Sequence, residues 1–408
     1  MTHRARPALL AAALAAGLLL LAGCEQPEEL MDFPMKDYNR PLPPGAQALR
    51  LVTDPSRIPD FTRACSQRHR LAEAIDRSLS YLAKPSSQKG YPCCGIPHGR
   101  VVASLQAFRQ LLDAGLSPSQ MNAAIRGRFD VYESVGCDMQ GTVLVTCYYT
   151  PILRGSLQRT PEFRYPLYKK PPELIKQPDG RPTKMWPDRR ALESSRALDG
   201  LELVYLADPF EAYVAQVQGS VKVRLPDGRL PTYGYTANNG HEYQSIRKML
   251  VDDGRIGPYA GLPEMIAYFK AHPGEVQPYT WRNPRYVFFA PIEDGRPRGC
   301  LNEPVTTGRT VATDKSIFPA AALGFLATEL PVMRAGRIVT APYRGFIVDQ
   351  DAGGAIRAPG RCDLYLGVGD EAGELAGRAK NEGRLYYLFL KPTAGGGDLR
   401  PATAAAAE

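Results

Sequence analysis

The sequence predicts a mainly β protein with helices near its N-terminal end, and three observations carry that prediction. Glycine and proline are both abundant, at 38 and 37 residues, and long heptads are absent, a balance that favours short strands and turns over a helical bundle. Helical periodicity is concentrated early: Leu71, Ile75, Leu79 and Leu82 share one face, and Val102, Leu105, Phe108 and Leu112 another. After Gly141 the chain becomes β-branched and aromatic, beginning with "TVLVTCYYTPIL".

Taken in order, the elements start behind a leader. "MTHRARPALLAAALAAGLLLLAGC" opens with Arg4 and Arg6, continues with an apolar run from Ala8 to Leu20, and ends in Leu21-Ala22-Gly23-Cys24. That is the build of a bacterial signal peptide over residues 1–23. Small residues directly before a cysteine match the lipobox of bacterial lipoproteins, in which Cys24 becomes the lipidated N-terminus. The alternatives are a plain signal peptide with an incidental cysteine, or an N-terminal transmembrane helix. Glu25, where an aspartate would retain the protein inside, resembles lipoproteins sorted to the outer membrane of Gram-negative cells, facing the periplasm. Residues 24–60 then read as the lipidated cysteine and a tether, acidic and proline-rich up to Pro44. Some 20 such residues reach roughly 25 Å.

The two helical faces follow, the second ended by Gly115, and Ser117-Pro118 supplies the N-cap and first residue of a third helix reaching to about Phe129. "LELVYLAD", "AYVAQVQGSVKVRLPDGRL" and "RYVFFAP" read as strands, with helical pieces over about 242–252 and 263–271. Residues 300–391 read as strands again, and 394–408 as a disordered tail. Phe288-Phe289 and Tyr386-Tyr387 read as core.

At 408 residues and 44% hydrophobic, the chain has room for two or three domains with a sizeable core. Loss of residues 1–23 removes two arginines and lowers the formal net charge from +8 to +6. A basic exported protein meets anionic partners such as peptidoglycan stems and lipid headgroups. No compact Lys/Arg cluster with interleaved aromatics marks a nucleic-acid surface. Seven cysteines remain besides Cys24, an odd number in an oxidising compartment, so disulfides are plausible, with one thiol left free or pairing between chains. No CxxC spacing exists and the histidines are scattered, so neither a metal nor a cofactor is expected.

The chemistry is expected among three aspartates: Asp314 in "RTVATDKSIFP", Asp351 in "DQDAGGAI" and Asp363 in "RCDLYLGVG". A carboxylic acid protonates a leaving-group oxygen only if it stays protonated near neutral pH, which burial or a neighbouring carboxylate brings about. Strand-borne acids converging on one groove would supply both causes, and glycines at 353, 354, 367 and 369 would let a polymer lie close to the backbone. The plainer reading is that these are turn aspartates at strand ends. Spacing alone does not decide between the two.

Seven motifs taken together do more. "YYTP" (148–151), "VQGSVKV" (217–223), "YGYTANNGHEYQSIRKML" (233–250), "NPRYVFF" (283–289), "RTVATDKSIFP" (309–319), "DAGGAI" (351–356) and "CDLYLGVGDEAGELAGRAKNEGRLYYL" (362–388) follow one another in the order seen in the membrane-bound lytic murein transglycosylase A family, and the resemblance covers about residues 65–391. It implies a double-psi β-barrel assembled from 61–151 and 285–393, a second β domain inserted at 152–284, and glycan in the groove between them. It further implies cleavage of the β-1,4 bond between N-acetylmuramic acid and N-acetylglucosamine of peptidoglycan, leaving 1,6-anhydromuramoyl ends. By the same resemblance Asp363 is the catalytic acid, with Asp351 and Asp314 in support. Tyr149, Thr150, Gln218, Ser220, Asn239 and Tyr243 are candidates for holding glycan, although Asn239-Gly240 also suits a turn and Gln218 a bridge between domains. The partners implied are glycan strands and, through the anchor, the outer membrane, with cell-wall synthesis enzymes as candidate protein partners. The sequence departs from the family pattern at Cys147, where glycine commonly precedes "YYTP", and at "GSV", where the turn is usually richer in glycine. Two other functions stay open: a hydrolase on the same barrel, and a non-catalytic peptidoglycan-binding lipoprotein.

If Cys24 carries the lipid, Cys24→Ser should move the protein from the membrane fraction into the soluble periplasm while the purified domain stays active. Continued membrane association of that variant would contradict the lipobox reading.

Overall fold

The computed structural model describes residues 36–177 and 182–392. The leader, Cys24, the first part of the tether and the C-terminal tail lie outside the described residues. Fourteen strands are present among the described residues: β1 (Leu49–Leu51), β2 (Phe129–Ser134), β3 (Val143–Thr150), β4 (Ile152–Ser156), β5 (Tyr165–Tyr168), β6 (Glu202–Leu206), β7 (Ser220–Arg224), β8 (Thr232–Asn238), β9 (Val287–Ile292), β10 (Thr310–Ala312), β11 (Leu323–Arg334), β12 (Arg337–Asp351), β13 (Arg361–Val368) and β14 (Lys380–Leu390).

They form two sheets. In the first, the order β14-β11-β12-β10-β13-β3 returns to β14, which closes a six-stranded barrel, while β2 and β1 continue outward from β14. Closure depends on β14 changing partner along its length. Lys380–Gly383 pair with β3, and Tyr386–Leu390 pair with β2. Two pairs in the barrel are parallel, β10 with β12 and β13 with β3, so strands far apart in sequence must lie side by side. The second sheet runs β5-β6-β4-β7-β8-β9. Pro151 alone separates β3 from β4: it has no N–H to donate, so the ladder breaks where the chain leaves the barrel for the other sheet.

Two boundaries differ from expectation. β9 pairs with β8 through Val287–Ile292, so the second sheet continues past residue 284. β1 pairs with β2, with Ala48 and Leu49 buried, so residues expected in the tether are already part of the fold.

The early helices are Leu71–Leu82, His98–Asp113 and Pro118–Arg128. The last is closed by a capping box between Ser117 and Gln120, as its sequence predicts. In the second, Val101, Leu105 and Phe108 are fully buried, with Val102 and Leu112 at the margin of that face. Phe108 of the second helix, and Phe61 at the start of a short helix Thr62–Ser66, pack on the barrel: both meet Phe346 and Phe61 also meets Phe325, at centroid separations of 4.9–5.6 Å. Each such ring taken from water contributes roughly 1.5–3 kcal/mol. The four residues of the two aromatic pairs expected in the core are all buried.

The segment "AYVAQVQ" is a helix, Pro209–Gln218, and not the strand its apolar run suggests. The Asp208 carboxylate accepts from the Phe210 and Glu211 amides, Pro209 fills the first turn, and Gly219 ends it at φ 75°, a left-handed conformation that a side chain would disfavour. A further helix, Asp370–Arg378, interrupts the region read as strands only. No disulfide joins any two of the seven cysteines among the described residues, and Cys65, Cys137 and Cys362 lie in the interior. Ion pairs hold part of the interior. Glu133, 2% exposed, receives Arg50, Arg57 and Arg384 at 2.6–3.1 Å.

Because β3 reaches the barrel from the N-terminal side, a fragment of residues 293–391 leaves β13 and β14 with open edges. It should aggregate or stay unfolded. A cooperative thermal melt from that fragment alone would contradict the split assembly.

Candidate active site

Strand alternation builds the site. β13 and β3 run parallel in register, with Asp363 opposite Thr146 and Tyr365 opposite Tyr148. Side chains two apart share a face, so Arg361, Asp363 and Tyr365 from β13 and Thr146, Tyr148 and Thr150 from β3 line one side. Cys147 and Tyr149 point to the other. Tyr148 and Tyr365 pack at 5.1 Å between centroids.

Asp363 is half-buried. Its Oδ1 and Arg361 Nε are buried side-chain polar atoms without a hydrogen-bond partner among the described residues. Burial pushes the Asp363 carboxyl up to about 6; Arg361 and a hydrogen bond from Thr146 oppose the rise, and the Asp351 charge adds to it. An acid raised to that level with one oxygen unengaged is able to give up a proton near neutral pH and take it back.

Asp351 arrives from β12 at an irregularity in its pairing with β10, where Val311 is opposite Asp349 and Ala312 opposite Asp351. Its environment is the reverse of that of Asp363. Oδ2 accepts from the Tyr148 hydroxyl at 2.7 Å, and Oδ1 accepts from the Cys300 and Ala352 amides at 2.9 and 2.8 Å. Burial raises its pKa, and those three donors and Lys315 restrain the rise. Asp349, two residues earlier, is fully buried and sequestered from the site: it is ion-paired with Lys315 and accepts from Thr313 and Tyr387 hydroxyls at 2.7 Å.

Asp314 does not stand on a strand facing a groove. It lies just past β10, where Oδ1 accepts from the Ser316 amide and hydroxyl at 3.0 and 2.6 Å, and Oδ2 from the Ala358 amide at 3.1 Å. It fixes its own turn and the loop that leads into β13.

Of the six residues expected to hold glycan, five, Ser220 among them, have their polar groups or rings committed inside the protein. The Tyr149 ring packs with Ala372 and Ala376 of the Asp370–Arg378 helix, because it lies on the opposite face of β3 from Tyr148. The Thr150 hydroxyl is 2.9 Å from Ser220 Oγ and 3.0 Å from the Tyr365 hydroxyl, which ties the barrel to the second sheet. Asn239 is fully buried, donates to the carbonyls of Pro187 and Pro284, and accepts from the Tyr286 amide. Gln218 Oε1 accepts from the Tyr149 amide at 3.1 Å, which is the bridging arrangement. Tyr243 stands at the seam near Arg361, with which it interacts electrostatically. A Cβ on Gly354 would lie 3.3 Å from Arg285 Nε and 3.4 Å from Tyr243 Cβ, so glycine here serves the close approach of the barrel loop to the second domain. Thr146, Tyr148, Tyr365 and Arg361 are the site residues the sequence reading missed. Counting by twos from Asp363 points to Arg361 and Tyr365, whereas the β3 residues depend on a pairing more than two hundred positions apart.

Two family models match the chain: an MltA specific insert domain over residues 144–290 and a 3D domain over residues 309–389. The chain is 32% identical over 270 residues to membrane-bound lytic murein transglycosylase A of Escherichia coli K12, covering 65% of this chain and 71% of that protein. The crystal structure of a membrane-bound lytic murein transglycosylase from Agrobacterium tumefaciens matches with a TM-score of 0.69 at 26% identity, over 84% of this chain and 98% of that one. E. coli MltA with bound chitohexaose matches with a TM-score of 0.65 at 26% identity, over 88% and 97%. The fold and site thus define an enzyme of the 3D-domain class, with an insert sheet beside the barrel and a raised acid at the seam. The chain belongs to the membrane-bound lytic murein transglycosylase A family.

The desolvated Asp363 carboxylate costs the fold stability. With a pKa near 6 in the folded chain and about 3.8 unfolded, the native state binds the extra proton between those values, so stability falls as pH rises through that window. Asp363→Asn removes the charge at constant shape. It should raise unfolding stability at pH 7 by on the order of 2–3 kcal/mol, with the gain vanishing near pH 4. Denaturant unfolding at the two pH values checks this, and an Asn variant no more stable than the parent at pH 7 would contradict the burial argument.

Proposed function

We infer that the protein is a peptidoglycan lytic transglycosylase that cleaves the β-1,4 bond between N-acetylmuramic acid and N-acetylglucosamine and leaves 1,6-anhydromuramic acid ends, with Asp363 as its single acid and base. The observation that carries the assignment of Asp363 is the contrast between two carboxylates at one site, one with a buried unpaired oxygen and the other held by three donors.

In the first step protonated Asp363 gives its proton to the leaving oxygen of the glycosidic bond, and the bond to the anomeric carbon breaks. In the second, the Asp363 carboxylate takes the proton of the sugar's own C6 hydroxyl as that oxygen attacks C1 and closes the anhydro ring. Atoms balance without water. The nucleophile is part of the substrate, so its effective concentration is high and no water-activating base is required. Asp351 stabilises positive charge developing at C1 and lifts the Asp363 pKa. Tyr148 orients Asp351, and Tyr243 is a glycan contact at the seam.

A hydrolase with retained or inverted stereochemistry needs a second carboxylate free to act as nucleophile or base. Asp351 and Asp314 are each engaged by three donors, which favours the transglycosylase. A merely glycan-binding protein gives no account of a raised acid. At the cell envelope, Cys24 would hold the enzyme on the outer membrane facing glycan strands. No helix among the described residues is long and apolar enough to cross a membrane.

Digestion of purified sacculi should give 1,6-anhydromuramoyl products by mass spectrometry, and reducing muramic acid as the main product would favour hydrolysis. Asp363→Asn should lose about 100- to 10,000-fold in kcat, toward the upper end because one residue serves both steps. The kcat/KM of the parent should decline as pH rises through about 6, where the acid loses its proton. Asp351→Asn should move that decline to lower pH by removing a like charge. An unshifted or upward-shifted limb would contradict the coupling.

A further inference from the structure

Asp363 Oδ1 and Arg361 Nε share more than their lack of a partner. They belong to residues two apart on β13, hence on one face, and both residues reach the same hydroxyl. Thr146 hydrogen-bonds the Asp363 carboxylate, and Arg361 Nη2 lies 3.5 Å from Thr146 Oγ1. Among the described residues, the Arg361 Nε–H lacks the acceptor that the Nε–H of each buried arginine has: Leu390, Asn283 and His69 carbonyls for Arg100, Arg189 and Arg309. Arg100 has Asp130 at 2.7 Å and Arg189 has Glu193 at 3.0 Å, with carbonyl or amide acceptors for their remaining donors. A buried donor left open costs free energy unless something supplies an acceptor. Besides Asp363, the groups that interact with Arg361 electrostatically are Cys362, Tyr243 and Lys380, and none of them is a carboxylate. Among the described residues, then, no acceptor reaches Arg361 Nε, beside the group that protonates the scissile oxygen.

Resting on the transglycosylase reading, we propose that Arg361 is a substrate-binding residue whose Nε–H donates to a carbonyl oxygen on the sugar at the scissile linkage and fixes that sugar over Asp363. Such a carbonyl has two sources in the substrate: the acetamido group that every sugar of the strand bears, and the lactyl group borne by muramic acid alone. The donor and the acid then form a pair of fixed spacing on one rigid strand, which sets the register of the glycan.

The test is binding in the Asp363→Asn background, where turnover is slowed by the loss predicted above and Arg361 has no carboxylate charge at position 363 to act upon. Calorimetry with chitohexaose and with peptidoglycan glycan strands is compared for Asp363→Asn alone and with Arg361→Met added. The added substitution should weaken binding of the strands by about ten- to a hundredfold, the worth of a hydrogen bond from a charged group. An equal loss on chitohexaose identifies the acetamido carbonyl, and a loss confined to peptidoglycan strands identifies the lactyl carbonyl. Arg361→Lys keeps the charge and the aliphatic stem but places no donor at the Nε position, and it serves if the methionine variant fails to fold; it should show the same loss. Binding of both ligands within about twofold of the Asp363→Asn protein, by whichever variant folds, would overturn the proposal. Failure of the Asp363→Asn protein itself to bind either glycan would overturn the transglycosylase reading on which it rests.

Discussion

Everything distinctive about this site follows from one unfavourable arrangement: a carboxylate oxygen taken from water and given no donor. In water, or with a backbone amide aimed at it, Asp363 would be an ordinary surface acid, ionised at neutral pH and useless for protonating an ether oxygen. The barrel makes the arrangement tolerable. β13 is held on both sides, by β3 and by β10, which fixes the backbone from which the Asp363 side chain projects. Holding β13 in that way requires β3, which comes from the far N-terminal side of the chain and crosses into the second sheet at Pro151. The split domain, the closed barrel and the seam between the two sheets are thus consequences of keeping one acid dry.

The neighbouring carboxylates show what the alternative looks like. Asp351 is about as deeply placed, yet three donors fix it, and Asp349 is neutralised by Lys315 and two hydroxyls. Three aspartates within fifteen residues of sequence therefore have three different fates, decided by the donors around each and not by their spacing. A reaction that borrows its nucleophile from the substrate needs only the one left open. That economy suits a site where Asp351 and Asp349 are both held by donors.

Much of this was legible in the sequence where the signal is local. The helix at Pro118–Arg128 follows from a serine, a proline and a glutamine at fixed offsets, and the core pairs Phe288-Phe289 and Tyr386-Tyr387 follow from apolar runs too long for a surface strand. Failures came where local signals conflict or are silent. "AYVAQVQ" has the composition of a strand, and only the Asp208 cap and Gly219 turn it into a helix. Asp363 itself was found through its motif, but its partners Thr146 and Tyr148 were not, since nothing near them in sequence marks the register of β3 against β13. Tyr149 looked like a glycan contact and is core for the same reason: a one-residue difference in strand position places a side chain on the opposite face.

The account stands on the acidity of Asp363, and that is directly measurable. Selective ¹³C labelling of aspartate carboxyls, with the signal assigned by comparison with Asp363→Asn, gives the titration of this one group by NMR. A midpoint near 6 is predicted. A midpoint near 4, the value of a solvated aspartate, would mean that the acid is not held from water and that the chemistry proposed for it has no basis.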